Sequence, residues 1–176
     1  MSNNCRLKIH GVHIKYTTKN IFGWFIGKLI QLIEWKTYCH VYPELQWEGH
    51  RKSISWNIFG WFSTWNSFSI DILTTAYNES NSWDVNLTKD EMFSLAQKWK
   101  SMTGRHYAVG RLFLLPVYRL VKLKILTYPP GITCAAAIAI GLNEIGLWHH
   151  SIPPEMAGLR EVENVLIGLK DRVISE

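Results

Sequence analysis

The chain is short of cysteine, of long apolar runs and, over one stretch, of acid. Three Cys in 176 residues are too few for the disulfide framework of a small secreted domain. No apolar run reaches the ~20 residues that cross a bilayer. Residues 21–33 (IFGWFIGKLIQLI) are short and carry Lys28 and Gln31, and residues 107–128 are interrupted by Arg111, Pro116, Arg119, Lys122 and Lys124. The first eleven residues are polar and basic, with no apolar segment behind them. The sequence therefore reads as synthesised in a cytoplasm without a signal peptide, its thiols reduced. It has no internal repeat, no low-complexity tract and no glycine-rich phosphate loop; Gly110 and Gly141 stand alone. His10 with His13, and His149 with His150, have no Cys or carboxylate at the spacing a metal centre needs. No metal and no cofactor is expected.

What is present describes a folded chain. Hydrophobic residues make up 47% and charged residues 19%, with nine Trp, seven Tyr and seven Phe. That composition excludes disorder and supports a sizeable core in one domain spanning 1–176. The balance of 19 Lys+Arg against 14 Asp+Glu gives +5, a mild bias toward anionic partners. Acid is missing altogether from Met92 to Asn143, where Lys98, Lys100, Arg105, Arg111, Arg119, Lys122 and Lys124 all lie. Interleaved with apolar residues, Arg105, Arg111, Arg119, Lys122 and Lys124 suit an anionic membrane surface. They read equally as a solvated face with snorkelling stems. No motif points to specific nucleic-acid recognition.

Patterning predicts strands first and helices later, an α+β arrangement. Residues 1–20 alternate and predict one or two short strands. Residues 22–36 place Phe22, Phe25, Ile26, Leu29, Ile30, Leu32 and Ile33 at helical spacing, an amphipathic helix. Tyr38–Trp47 and Lys52–Trp56, around the Glu48-Gly49 turn, read as a hairpin, with Pro43 marking an edge or a bulge. A further strand is expected near Ser67–Leu73 and a short one at Trp83–Leu87. Thr88 with Glu91 three residues on is a capping box opening a helix to about Ser101. A second helical pattern spans 109–123, broken at Pro116. Thr133 starts a small-residue helix ending near Gly146, one turn is expected over 153–160, and residues 161–174 fit strand or helix.

The sharpest chemical feature is Cys134, in the first turn of that small-residue helix. The positive end of the helix dipole favours a thiolate there. Cys is also among the residues most often buried, and Ala-Ala-Ala-Ile-Ala-Ile suits a core helix equally well. His40 lies on a predicted strand. Its neighbour Cys39 faces the other way, so the partner of any nucleophilic Cys–His pair has to come from elsewhere in the chain.

Several segments follow one another in a telling order. They are Tyr38-Cys39-His40-Val41; Lys52-Ser53-Ile54-Ser55; Trp83-Asp84-Val85 with the capped helix and Gly104-Arg105-His106-Tyr107; Ile132-Thr133-Cys134; and Ser151–Met156. Over about residues 20–160 this order resembles the circularly permuted branch of the NlpC-type papain-like cysteine hydrolases. The resemblance implies a permuted papain-like α+β domain, with a small antiparallel sheet packed against helices. It implies Cys134 as nucleophile, His40 as general base and Ser55 as the third residue, with Glu44, Ser53 and His50 as rivals for that place. The backbone N–H of Cys134 would join an oxyanion hole. The implied activity is a thiol peptidase or amidase that cleaves an amide bond, as in a cell-wall (peptidoglycan) peptide, through an acyl-enzyme. The chain departs from the family at Ala135-Ala136, where polar residues often follow the Cys, and at Tyr42-Pro43. Those departures keep two other readings open: a non-catalytic bacteriophage structural or host-interaction protein on the same fold, and a lipid-directed acyltransferase or lipase. A bacteriophage member would act in the virion or the host cytoplasm.

Overall fold

A computed structural model describes residues 5–16, 21–56, 63–68, 77–102, 105, 108 and 131–172. The long strand β1 (Cys5–Ile14) is flanked by β2 (His40–Trp47) on one side and β5 (Tyr77–Leu87) on the other. β3 (His50–Trp56) and β4 (Ser63–Phe68) extend the sheet beyond β2, giving the order β4-β3-β2-β1-β5 with every pairing antiparallel. Four helices complete the described fold: α1 (Ile21–Glu34), α2 (Lys89–Ser101), α3 (Cys134–Glu144) and α4 (Leu159–Gly168), with a 3-10 turn at Pro154–Met156. The architecture is α+β.

Local chemistry accounts for the ends of these elements. The Thr88 hydroxyl accepts from Glu91 N at 3.2 Å, and the Glu91 carboxylate accepts from Thr88 N at 2.8 Å, which is the expected capping box. Thr133 caps α3 by accepting from Ala136 N at 3.1 Å. The Glu161 carboxylate accepts from Gly158 N at 2.9 Å at the start of α4. The β2–β3 turn falls at Glu48-Gly49, both with positive φ (47° and 81°), as a tight hairpin requires. Pro43 pairs with Ile9 of β1, while the β3 ladder reaches only Glu44. The missing N–H therefore sits where β2 has a single neighbour among the described residues.

The strand expected at Trp83–Leu87 begins at Tyr77 instead. The polar run Asn78–Ser82 carries no hydrophobic alternation, and it is held in the sheet by pairing with β1. That is tertiary context overriding propensity. β4 begins at Ser63 and overlaps the start of the strand expected near Ser67–Leu73; residues 69–76 lie outside the described residues. The turn expected over 153–160 narrows to Pro154–Met156, and the ambiguous C-terminal segment is a helix from Leu159. The helical pattern at 109–123 lies outside the described residues.

The core forms where one sheet face meets α2, α3 and α4. Leu7, Ile9, Leu45, Val85 and Leu87 of the strands are buried with Leu95 and Trp99 of α2, Ile138 and Leu142 of α3, and Val162 and Leu166 of α4. α2 and α3 approach closely because Gly141 has no side chain. A Cβ there would lie 2.4 Å from Trp99 Nε1 and 2.7 Å from Leu95 Cδ1. The Trp99 indole donates instead to Ala137 O at 2.9 Å.

Candidate active site

The helix that begins with Cys134 packs on the strand that begins with His40. The start of the helix lies near the segment that leads into the strand, whereas His40 itself shares a strand face with Tyr42 and Glu44, opposite Val41 and Leu45 of the core. Cys134 is near enough to Tyr38 and Cys39, immediately before His40, to help raise both of their pKa values. Burial is the first cause in each case. It pushes the Cys39 thiol up to about 11, and it pushes the Tyr38 phenol well above its ordinary value with help from Glu163, Glu34 and Cys134. The small side chains of α3 allow this packing, since Ala135, Ala136, Ala137 and Ala139 are all buried.

Both candidate residues are sequestered. Cys134 is 3% exposed and His40 5%. Burial lowers the His40 pKa to about 4, because an imidazolium loses its hydration there. His40 is therefore a neutral imidazole at pH 7, the protonation state a general base needs. Cys39 turns away from His40, as strand alternation requires. Its sulfur donates to Val12 O at 3.7 Å and lies against Gly27 of α1, where a Cβ would come within 3.1 Å of it.

The expected third residues fall in different places. Ser53 is opposite Glu44 and Ser55 opposite Thr64 of β4, so the β2–β3 ladder ends before the level of Ser55. The side chains of both serines lie outside the described residues. His50 pairs with Trp47 and is exposed at the hairpin end of β2. Seven strand residues, about 23 Å, separate that end from His40, so His50 is out of reach of its imidazole. Glu44 does hold a histidine, but that histidine is His10. His10 Nε2 is 3.0 Å from Glu44 Oε2. Of the residues expected to touch a membrane, Arg105 is exposed; Arg111, Arg119, Lys122 and Lys124 lie outside the described residues.

The His10 cluster is a polar constellation that sequence reasoning missed. His10 Nδ1 lies 2.8 Å from Glu79 Oε2 while Nε2 faces Glu44, and the ring stacks on Tyr42 with centroids 4.6 Å apart. Glu44 also accepts from Arg51 Nε at 2.5 Å and from Gln46 Nε2 at 2.7 Å. Burial would raise the Glu44 pKa, but the hydrogen bonds from His10, Arg51 and Gln46 and the charge of Arg51 outweigh it and hold the carboxyl at about 2. Nothing in the sequence joins residues 10, 44, 51 and 79; the strand register does. A cavity of about 440 Å³, lined by Leu147, His149, His150 and Val165 among others, lies past the opposite end of α3 from Cys134.

No family model matches the chain, and searches of curated proteins and of solved structures find no similar protein.

Proposed function

We propose that the chain is a cysteine hydrolase of permuted papain-like design that cleaves an amide or peptide bond through an acyl-enzyme. The observation that carries this reading is the packing of α3 on β2, which brings the capped Cys134 end of the helix beside the segment leading into His40. In the proposed step, neutral His40 accepts the Cys134 thiol proton as sulfur attacks the carbonyl carbon. The same proton then passes to the leaving amine, and water, deprotonated by His40, releases the acid and restores the thiol. The backbone N–H of Cys134, in the first turn of α3, would contribute to the oxyanion hole. A cell-wall peptide is the first substrate class to try.

The burial of Cys134 and His40 favours one competing reading, a non-catalytic binding protein on the same fold. The deciding measurement is the rate of Cys134 alkylation against pH, with Cys5 and Cys39 changed to Ser. The expected result is rapid labelling below the ordinary thiol pKa of about 8.5, slowed at least tenfold by His40→Ala. Slow labelling that ignores His40 would overturn the hydrolase and leave the binding protein.

A further inference from the structure

From the outer face of α1 we infer that the chain docks on the surface of an anionic lipid bilayer, with α1 lying flat in the headgroup region. Among the described residues, one side of this helix packs against the fold. Gly27, Ile30 and Glu34 are buried, with Gly27 set against Cys39 and Ile14. The opposite side presents Ile21, Phe25, Lys28, Leu32 and Trp35, spaced four, three, four and three residues apart, and all five are exposed. Leu32 is 70% and Trp35 84% exposed. Residues at that spacing form one continuous stripe, so α1 is apolar on the side it packs and on the side it shows to solvent.

Trp35 supplies a second, independent observation. It is the residue just past the helix, with φ 54°, and Lys36 N donates to Gln31 O at 3.1 Å. This is a Schellman ending, and its left-handed position normally goes to Gly or Asn because a bulky side chain is strained there. Here that position holds a Trp whose ring turns away from the protein. Neither packing nor backbone preference explains it.

Composition and charge select the partner. Aromatic rings stand at both ends of the helix: Trp35 at one, and at the other Tyr16 set edge-on to Trp24 at 5.4 Å. Trp and Tyr favour the boundary between headgroups and acyl chains. The one cation of α1 is Lys28, in the middle of the stripe, and its one acid, Glu34, is buried. The net charge of +5 has the same sign. No described helix is long and apolar enough to cross a membrane, so the stripe lies on the surface. A second copy is a poorer occupant. A helix of this length is about 21 Å by 10 Å and offers roughly 200 Å² against the ~800 Å² per partner of a stable interface, and two-fold pairing would bring Lys28 toward its own copy.

The test is flotation of the full chain with vesicles of phosphatidylcholine and phosphatidylglycerol, and with phosphatidylcholine alone, at low and high salt. The chain should float with the anionic vesicles and be released by salt. Joint replacement Phe25→Gln and Leu32→Gln should cut binding at least tenfold, and Lys28→Gln about fivefold. Trp35→Asn should also lose about tenfold while melting no lower than wild type, since Asn accepts the left-handed conformation. Cys134→Ala should bind as wild type does, so the result stands apart from the hydrolase. Failure of wild type to float, equal binding by the variants, or a dimer that Trp35→Asn abolishes would each overturn the inference.

Discussion

At the scale of single residues, burial decides the chemistry of His40 and Glu44. Below pH 6.5 the unfolded chain protonates His40, whereas the folded chain resists doing so until about pH 4. The unfolded state thus binds more protons in that window, and stability falls as the pH drops through it. A shift of this size is worth about 3 kcal/mol. His40→Gln should remove that loss, which urea unfolding at pH 7, 5.5 and 4 would show as a flattened slope. The sign is opposite to that of a stabilising salt bridge: His40 contributes nothing above pH 6.5 and costs stability below it. Glu44 titrates lower. Its depressed pKa gives stability that is full above about 4.5 and lost toward about 2, so the two effects separate on the pH axis. The capped helix that opens at Cys134 and the strand that opens at His40 were legible in the sequence, because Thr133 precedes an apolar helical run and His40 lies in a β-rich one. The partner of Glu44 was not legible, because His10 is 34 positions away and reaches it only through strand register.

At the scale of elements, α3 is built for close contact. Gly141→Ala would ordinarily strengthen a helix by about 1 kcal/mol. Here the added methyl would meet the Trp99 indole and Leu95 at 2.4 and 2.7 Å, inside a core with no slack. We expect a net loss of about 2 kcal/mol, measured as a lower urea midpoint; a gain in stability would refute this account of the α2–α3 contact. The sequence announced the helix and its small residues. It did not announce that Trp99 and Leu95 of another helix pack directly against the glycine. The two apolar sides of α1 were hidden for a similar reason. Periodicity reports that apolar residues share a helix, and burial reports which of them the protein covers.

At the scale of the molecule, one side chain ties the end of α4 to the sheet and to α2. Arg172 donates to Asn86 O at 2.8 Å and, through both Nη atoms, to the Glu91 carboxylate at 3.1 and 2.5 Å. Asn86 Nδ2 returns a bond to Arg172 O at 3.3 Å. Burial would raise the Glu91 pKa, but the bonds from Arg172 and Thr88 outweigh it and lower it. Arg172→Gln should cost about 1 kcal/mol, a value typical of a partly buried bidentate pair. It should also speed amide exchange at residues 169–172 more than in the core strands. Unchanged exchange there would show that α4 is held by its apolar face alone.

The sequence by itself determined the class of fold, the hairpin turn at Glu48-Gly49, and the capped starts of α2 and α3. These are local matters, settled by side chains reaching backbone groups three residues away and by the period of apolar residues. Only the tertiary structure decided that β5 reaches back to Tyr77, that His10 takes Glu44, that α3 packs on β2, and that one face of α1 is left exposed by the described residues. Each of these depends on register or packing between segments tens of residues apart, and no local pattern records which distant segment will supply the other half of a contact.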